Sequence, residues 1–462
     1  MKKTRAYSKL DVLLINAPSP FPGSILSHRL QGLPPLGLGY IGTWLIRNNY
    51  SAKILDFYIK EVTIIDLESL IKSDYPKIIG ISTTTETYKC GLAIAKHIKL
   101  IDSDIVVFMG GCHATFEYED ALKSGFIDLV VRHEGELIVK ELCDYYIKGV
   151  GSLDKIKGIS YISDGVIKKN QRKEFIENLD MLPFPDRRLY DLEKYAVPAS
   201  ISTSRGCPGR CIFCAATALS GGRYRVRTAE NVIEEFKYLK SLGNNHIQIV
   251  DDTMTADVDR LHRLLKLLKE EKLGVTWNCE SRVDIMTKEL LKEMIECGCT
   301  SIQFGVETGS QEMLDCLRKS ITIEQIRNTF LWAKELGIST ATCLMIGQPY
   351  DTIETINKSI EFALELQSYG AKVVFSVSTP FPGTFMYNNP ERVGIKIMDF
   401  DTDNYNTLTP VYDTDNFSRE DIQKLYYDAL IKLSKGQIRP EAKEIYRRIS
   451  KYLKQQVAEI TN

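Results

Sequence analysis

Arg205-Gly206-Cys207-Pro208-Gly209-Arg210-Cys211-Ile212-Phe213-Cys214 stands where an apolar run, Ala199 to Ser204, gives way to a loop. Its three thiols follow a C-x3-C-x2-C spacing, and Gly206, Pro208 and Gly209 let the backbone turn them toward one point. Soft thiolates favour zinc or an iron-sulfur cluster. A closed zinc site needs a fourth ligand nearby, and His246 and Cys279 are distant in sequence. The spacing therefore points to a metal group with one coordination position left open.

Outward from this loop, short apolar runs alternate with helical periodicity. Strands are expected at Ala199 to Ser204, His246 to Val250, Val275 to Cys279, Ser301 to Val306, Thr340 to Ile346 and Val373 to Ser378. Helical patterns lie between them. Six βα units at a repeat of about 30 residues predict a barrel-like parallel sheet two strands short of the usual eight. Upstream, a second βα series is expected, with strands at Lys9 to Asn16, Ala52 to Phe57, Lys77 to Ser82, Asp104 to Gly110 and Asp128 to Arg132. Their continuous apolar character predicts a doubly wound parallel sheet covered on both faces. Ligands of such sheets sit beyond the carboxyl ends of the strands. Residues 148–198, with a hairpin near Val166 to Lys169 and Pro183 and Pro185, read as a linker. The acidic, aromatic stretch Asp399 to Asp415 reads as a solvated loop, with a substrate wall as the alternative, and Arg419 to Ser434 as an amphipathic helix.

Composition narrows the functions. The 462 residues hold about three domains' worth of chain, and a net charge of -1 provides no overall positive field for nucleic acid or an anionic membrane. No run of about 18 apolar residues occurs, so no membrane span is expected and the protein is read as cytoplasmic. Eleven cysteines in a reducing compartment point to metal binding or burial rather than disulfides. Cys297-Gly298-Cys299, at the end of a helix before a buried strand, reads as two packed thiols.

Cys207, Cys211 and Cys214, with Phe213 before the last, resemble the signature of radical S-adenosylmethionine enzymes. The resemblance implies a [4Fe-4S] cluster on the three cysteines, with the fourth iron chelated by the methionine amino and carboxylate groups. It also implies S-adenosylmethionine contacts from Phe213, from Asp251 and Asp252 at the second strand end, from Arg282 at the third, Glu307 at the fourth and Gly347 at the fifth. The first block lacks G-x-G-x-x-G and G-x4-G-K-[ST], so dinucleotide and NTP readings lose their support. It resembles the cobalamin-binding domain of the cobalamin-dependent members. The matching positions are Leu33, Pro35 and Gly37 after the first strand, Ser82 and Thr83 at the third, Gly110, Gly111 and His113 at the fourth, and Glu134 and Gly135 at the fifth. D-x-H-x-x-G is absent, so the lower cobalt ligand is left open between His113 and no protein nitrogen.

The resulting expectation is an α/β chain with a flavodoxin-like cobalamin-binding domain at 1–147, a linker at 148–198, a partial (β/α)6 radical barrel at 199–385 and a C-terminal helical extension at 386–462. The resemblance implies a methyltransferase acting on an unactivated carbon, or on phosphorus, of a small molecule or peptide. An external one-electron reductant of flavodoxin or ferredoxin type would drive it. The alternatives are a cyclase, ring-contraction or oxidative enzyme with the same cofactors, and a non-catalytic cobalamin- or redox-responsive regulator.

Overall fold

The computed structural model describes residues 9–20, 32–59 and 62–434. The remainder of the expected C-terminal extension, 435–462, lies outside the described residues.

The first sheet has seven strands: β1 (Val12–Asn16), β2 (Ala52–Asp56), β3 (Ile78–Ser82), β4 (Val106–Gly110), β5 (Leu129–Val131), β6 (Ile159–Ser163) and β7 (Val166–Lys169), in the order β2-β1-β3-β4-β5-β6-β7. β1 to β5 are parallel, and β6 and β7 add antiparallel strands at the far edge. Alternation along each parallel strand explains why both faces are apolar. Leu13, Ile15, Ile79, Ile81, Val107 and Met109 point into one core, and Val12, Leu14, Ile78 and Phe108 into the other. This is the doubly wound arrangement expected, and the hairpin expected within 148–198 is part of its sheet. Asn16, Ser82 and Gly110 end flush in the register. The chain order reverses between β1 and β3, so this edge is the switch point where open α/β sheets bind ligands.

The second block forms a parallel six-stranded sheet from β8 (Ser200–Ile201), β11 (His246–Ile249), β12 (Thr276–Ser281), β13 (Cys299–Glu307), β14 (Ser339–Ile346) and β15 (Lys372–Val377), neighbours in chain order. A two-strand ladder of β9 (Ser204–Arg205) and β10 (Arg225–Val226) brackets the cysteine loop. One face buries Ile247, Trp277, Ile302, Phe304, Leu344 and Phe375 against the helices. The other presents Gln248, Asn278, Glu280, Gln303 and Cys343, none fully buried. An apolar outer and polar inner face is what a polar ligand inside an open barrel requires.

Asp399 to Asp415 departs from the solvated loop expected. Tyr405, Val411 and Tyr412 are buried, the Thr407 carbonyl accepts from the amide of Val377 at 2.7 Å, and β17 (Tyr412–Thr414) pairs with β16 (Ile395–Ile397). Asp401, Asp415 and Phe400 are exposed. Tyr405 and Tyr412 pack with Ile212, Leu317 and Met386 in a smaller core, and the helix Arg419–Leu433 buries Ile422, Tyr426 and Ala429 in the main core of the second sheet.

Candidate active site

The cysteine loop leaves β9 and doubles back over Gly209. An ideal methyl at Gly209 would stand 3.4 Å from Cys207 Sγ, 3.9 Å from Cys211 Sγ and 3.1 Å from Arg282 Nη1, so two thiols and a cation share its surroundings. The Gly209 amide donates to Cys207 Sγ at 3.4 Å. Ile212 is pinned through its amide to the Leu317 carbonyl at 3.1 Å, and its own carbonyl accepts from Met386 at 3.1 Å. As free thiols Cys211 and Cys214 resist ionisation: burial pushes Cys214 up to about 11, and burial raises Cys211 against the opposing charges of Lys319 and Arg282. Three loop thiols with no fourth beside them among the described residues, next to two cations that offset thiolate charge, fit a cluster with one iron left for another ligand.

The S-adenosylmethionine candidates divide by what they touch. Phe213 lies under the Lys319 ammonium, 5.9 Å from ring centroid to Nζ. Arg282 spends Nε and Nη2 on Asp284, at 3.0 and 2.9 Å, and Nη2 also reaches the Lys319 carbonyl at 3.0 Å. Its Nη1 is left beside the loop. Glu307 meets Lys319 Nζ at 2.8 Å. Asp252 accepts from the Gly206 amide at 3.2 Å, and desolvation, with Asp251 alongside, raises its carboxyl. Asp251 faces inward, where it accepts from the Thr203 amide at 2.6 Å, the Thr203 hydroxyl and Ser204 Oγ at 2.8 Å. Its carboxylate ties the segment joining β8 and β9 to the end of β11. Gly347, with φ of 75°, packs on Ile422, and its carbonyl accepts from the Tyr412 hydroxyl. Asp252, Arg282, Glu307 and Phe213 thus gather around the cysteine loop, whereas Gly347 is joined to the C-terminal region. Nearby, Asn278 Oδ1 and Gln348 Oε1 are buried without a partner, acceptors that a polar ligand can satisfy.

The glycines at the first sheet's edge are needed for close approach. Gly111 has φ of 97°, and any side chain there would collide with the Thr83 carbonyl. Gly37 opens on free space, with nothing within 4 Å of an added methyl, while Leu33 and Pro35 are half-buried beside it. Ser82 closes β3 and the Thr83 amide bonds the Gly110 carbonyl at 3.0 Å. Gly37, Ser82, Gly110 and Gly111 therefore lie along the carboxyl edge of the first sheet, where small side chains suit a large planar cofactor. His113 is not on that rim's surface. It is 4 % exposed, packed with its ring centroid 4.2 Å from that of Tyr88 at a 45° tilt and hydrogen-bonded through Nδ1 to Thr85 Oγ1 at 3.3 Å. Burial pulls its pKa down to about 4, so the ring is neutral.

Glu134 faces the second block. It holds Arg205 at 2.9 Å and Arg225 at 2.8 Å, and accepts from the Ile176 amide at 2.8 Å. Burial works against its charge, but Arg225 and Arg205 prevail and keep the carboxyl below the usual range. Gly135 lies under Ile41, 2.9 Å from an added methyl. Lys319 and Arg225 carry no signal in the sequence. Arg205 belongs to the cysteine loop and Glu136 to the segment after the fifth strand, but nothing in the spacing of Arg205 announces a partner 71 residues upstream.

The two rims face each other. Gly383, after β15, has no room for a side chain against the Phe116 ring, and His133 Nδ1 reaches the Leu219 carbonyl beyond Cys214 at 3.1 Å. Residues 24–143 match the B12 binding domain and residues 201–363 the Radical SAM superfamily. An uncharacterized methyltransferase of Pyrococcus horikoshii is 34% identical over 404 residues, which cover 86% of this chain and 87% of that protein. The chain belongs to the cobalamin-dependent radical S-adenosylmethionine family. It is also 28% identical over 409 residues to an anaerobic magnesium-protoporphyrin IX monomethyl ester cyclase of Rubrivivax gelatinosus, covering 84% of this chain and 71% of the cyclase. Its fold is that of the radical S-adenosylmethionine methyltransferase TsrM from Kitasatospora setae, solved with cobalamin and a [4Fe-4S] cluster: TM-score 0.73 at 17% identity, over 94% of this chain and 90% of that one. No helix among the described residues is long and apolar enough to cross a membrane.

Proposed function

We propose that this family member transfers a methyl group to an unactivated carbon, or to phosphorus, of a small-molecule or peptide substrate in the cytoplasm, with an external one-electron reductant. The observation that carries the proposal is the contact between the segments flanking the cysteine loop and the turn 133–136 at the end of β5. The substrate space would lie between the two cofactor edges at this contact. When bound, the cluster with S-adenosylmethionine supplies hydrogen abstraction and the corrinoid a transferable methyl group. The chain supplies position and dryness. Cys207, Cys211 and Cys214 would hold the cluster. Asp252, Arg282 and Glu307 surround the open coordination side, where a guanidinium and carboxylates suit the two ends of an amino acid. Gly37, Ser82, Gly110 and Gly111 would seat the corrin. Phe116 and Phe381, the latter 6.4 Å from Tyr405 between ring centroids, give the space an apolar wall.

The cyclase relative supports a second reading, radical chemistry without methyl transfer. The test uses anaerobically reconstituted protein given hydroxocobalamin, S-adenosylmethionine with a trideuterated methyl, a chemical one-electron reductant and an extract of the source cells' metabolites. Methyl transfer predicts a product carrying the trideuterated methyl, absent when Cys207, Cys211 and Cys214 are all replaced by Ala. Substrate loss with no labelled methyl in any product would establish the second reading in its place.

A further inference from the structure

The turn His133-Glu134-Gly135-Glu136 grips the cysteine loop on both sides. Ahead of Cys207, Arg205 spreads its guanidinium over two carboxylates, Nη1 to Glu134 at 2.9 Å and Nη2 to Glu136 at 2.6 Å. Beyond Cys214, the Leu219 carbonyl accepts from His133 Nδ1 at 3.1 Å. A carbonyl only accepts, so Nδ1 carries the proton and the tautomer is set. The same turn reaches back to the glycine rim. The His133 amide donates to Thr115 Oγ1 at 3.0 Å, and that hydroxyl donates to the Gly111 carbonyl at 2.8 Å. Three hydrogen bonds in series thus run from Gly111, at the edge of the first sheet, to the segment that follows the third cysteine.

Stability alone is a poor account of this turn. His133 holds φ of 64°, a left-handed backbone that favours glycine. Glu136 is 3% exposed, and its Oε2 is buried with no partner. Buried ion pairs are on average no more stabilising than well-packed apolar side chains, and their best-attested use is to fix register. A strained residue and a half-satisfied carboxylate, side by side at a contact between two cofactor edges, mark a place where geometry is held at a cost.

We propose that the turn 133–136 couples the two cofactor sites, so that a corrinoid seated at the Gly110-Gly111 rim and a cluster assembled on Cys207, Cys211 and Cys214 each tighten binding of the other. The inference rests on the cofactor reading given above. His133, Glu134, Glu136 and Arg205 are positioning residues. A corrin against Gly111 orders the carbonyl that holds Thr115, hence His133, hence the far side of the loop, while the carboxylates hold its near side. Coupling of this kind is reciprocal in binding free energy.

The full-length protein, kept anaerobic, is titrated with hydroxocobalamin before and after reconstitution with ferrous iron and sulfide, and Kd is read from the visible spectrum. Reconstitution lowers Kd about fivefold or more. His133→Gly suits the backbone it replaces and removes the ring bond to Leu219. Arg205→Lys keeps the charge but does not span two carboxylates. Both variants still bind hydroxocobalamin and still form the iron-sulfur absorption, yet their Kd no longer changes on reconstitution. Lys89→Met, which removes the separate ion pairs to Asp401 and Asp403, retains the wild-type response. A wild-type Kd that ignores reconstitution, or an undiminished response in both turn variants, overturns the coupling. A wild type that takes up no hydroxocobalamin, or forms no iron-sulfur absorption, overturns the cofactor reading instead.

Discussion

Lys319 offers the sharpest test of how the site is held. Its side chain is 10% exposed, that of Glu307 is 13%, and the ammonium and carboxylate meet at 2.8 Å. Burial disfavours the ammonium, but Glu307 and Cys211 outweigh that and hold it above the usual lysine range. Lys319→Met preserves length and apolar bulk while stranding the Glu307 carboxylate. Removing one partner of a buried pair costs about 3–5 kcal/mol, whereas neutralising both is often close to neutral. At about 2–4 °C per kcal/mol for a unit of this size, the single variant should melt roughly 6–20 °C below the wild type. Lys319→Met/Glu307→Gln should recover most of that loss. Anaerobic thermal unfolding by circular dichroism reads both numbers, and iron content after reconstitution reports whether the loop still loads. A single variant that melts with the wild type, or a double variant whose loss is the sum of two independent losses, would refute the buried pair as the loop's electrostatic support.

Two further outcomes follow from the first domain. His113 is neutral when folded, with a pKa of about 4 against about 6.5 when unfolded. Only the unfolded chain takes up the proton between those values, so stability is full above about 6.5 and falls by about 3 kcal/mol as pH drops toward 4. Urea unfolding at several pH values checks this slope, which His113→Gln should reduce by about that amount, leaving the smaller part due to His133 and His246, whose pKa values burial also lowers. Gly111→Ala places a side chain on a backbone at φ of 97° and against the Thr83 carbonyl. Strain and overpacking together should cost at least about 2 kcal/mol, and hydroxocobalamin uptake should fall with it.

Both sheets were legible because parallel strands covered on two faces must be continuously apolar. Val12 to Ile15 and Ile78 to Ile81 carry that signal unaided, and every strand of the two parallel series lies where it was expected, with ends within three residues, except at the first strand of the barrel. That strand reads as one run, Ala199 to Ser204, but is interrupted between Ser200–Ile201 and Ser204–Arg205. The reason is Asp251, whose carboxylate draws the Thr203 amide and the Ser204 hydroxyl toward β11. The short helix Cys112–Phe116 escaped notice because five residues are too few to show a period of 3.6. Asp399 to Asp415 misled for a different reason. Its acids dominate composition, while the three residues that decide its burial, Tyr405, Val411 and Tyr412, are too widely spaced to read as an element.

The thiols, the strand-end carboxylates and the glycine rim could be read because each is local: a residue type at a fixed distance from a strand end. What joins them could not. Arg205 and Glu134 are 71 residues apart, His133 and Leu219 are 86, and Lys319 and Glu307 are brought together only by the short helix Gln311–Cys316 that follows β13. Glu134 illustrates the difference most clearly. At the end of β5 it has the position of a ligand-facing carboxylate, yet Arg205 and Arg225 claim both of its oxygens. Position along a strand says which rim a side chain can reach; it does not say whether a buried cation from another domain has reached it first. In a chain of near-zero net charge, with nearly equal acids and bases, such pairings are the means by which two cofactor domains can be set in register. They are specified by where charges remain buried after folding, not by any motif.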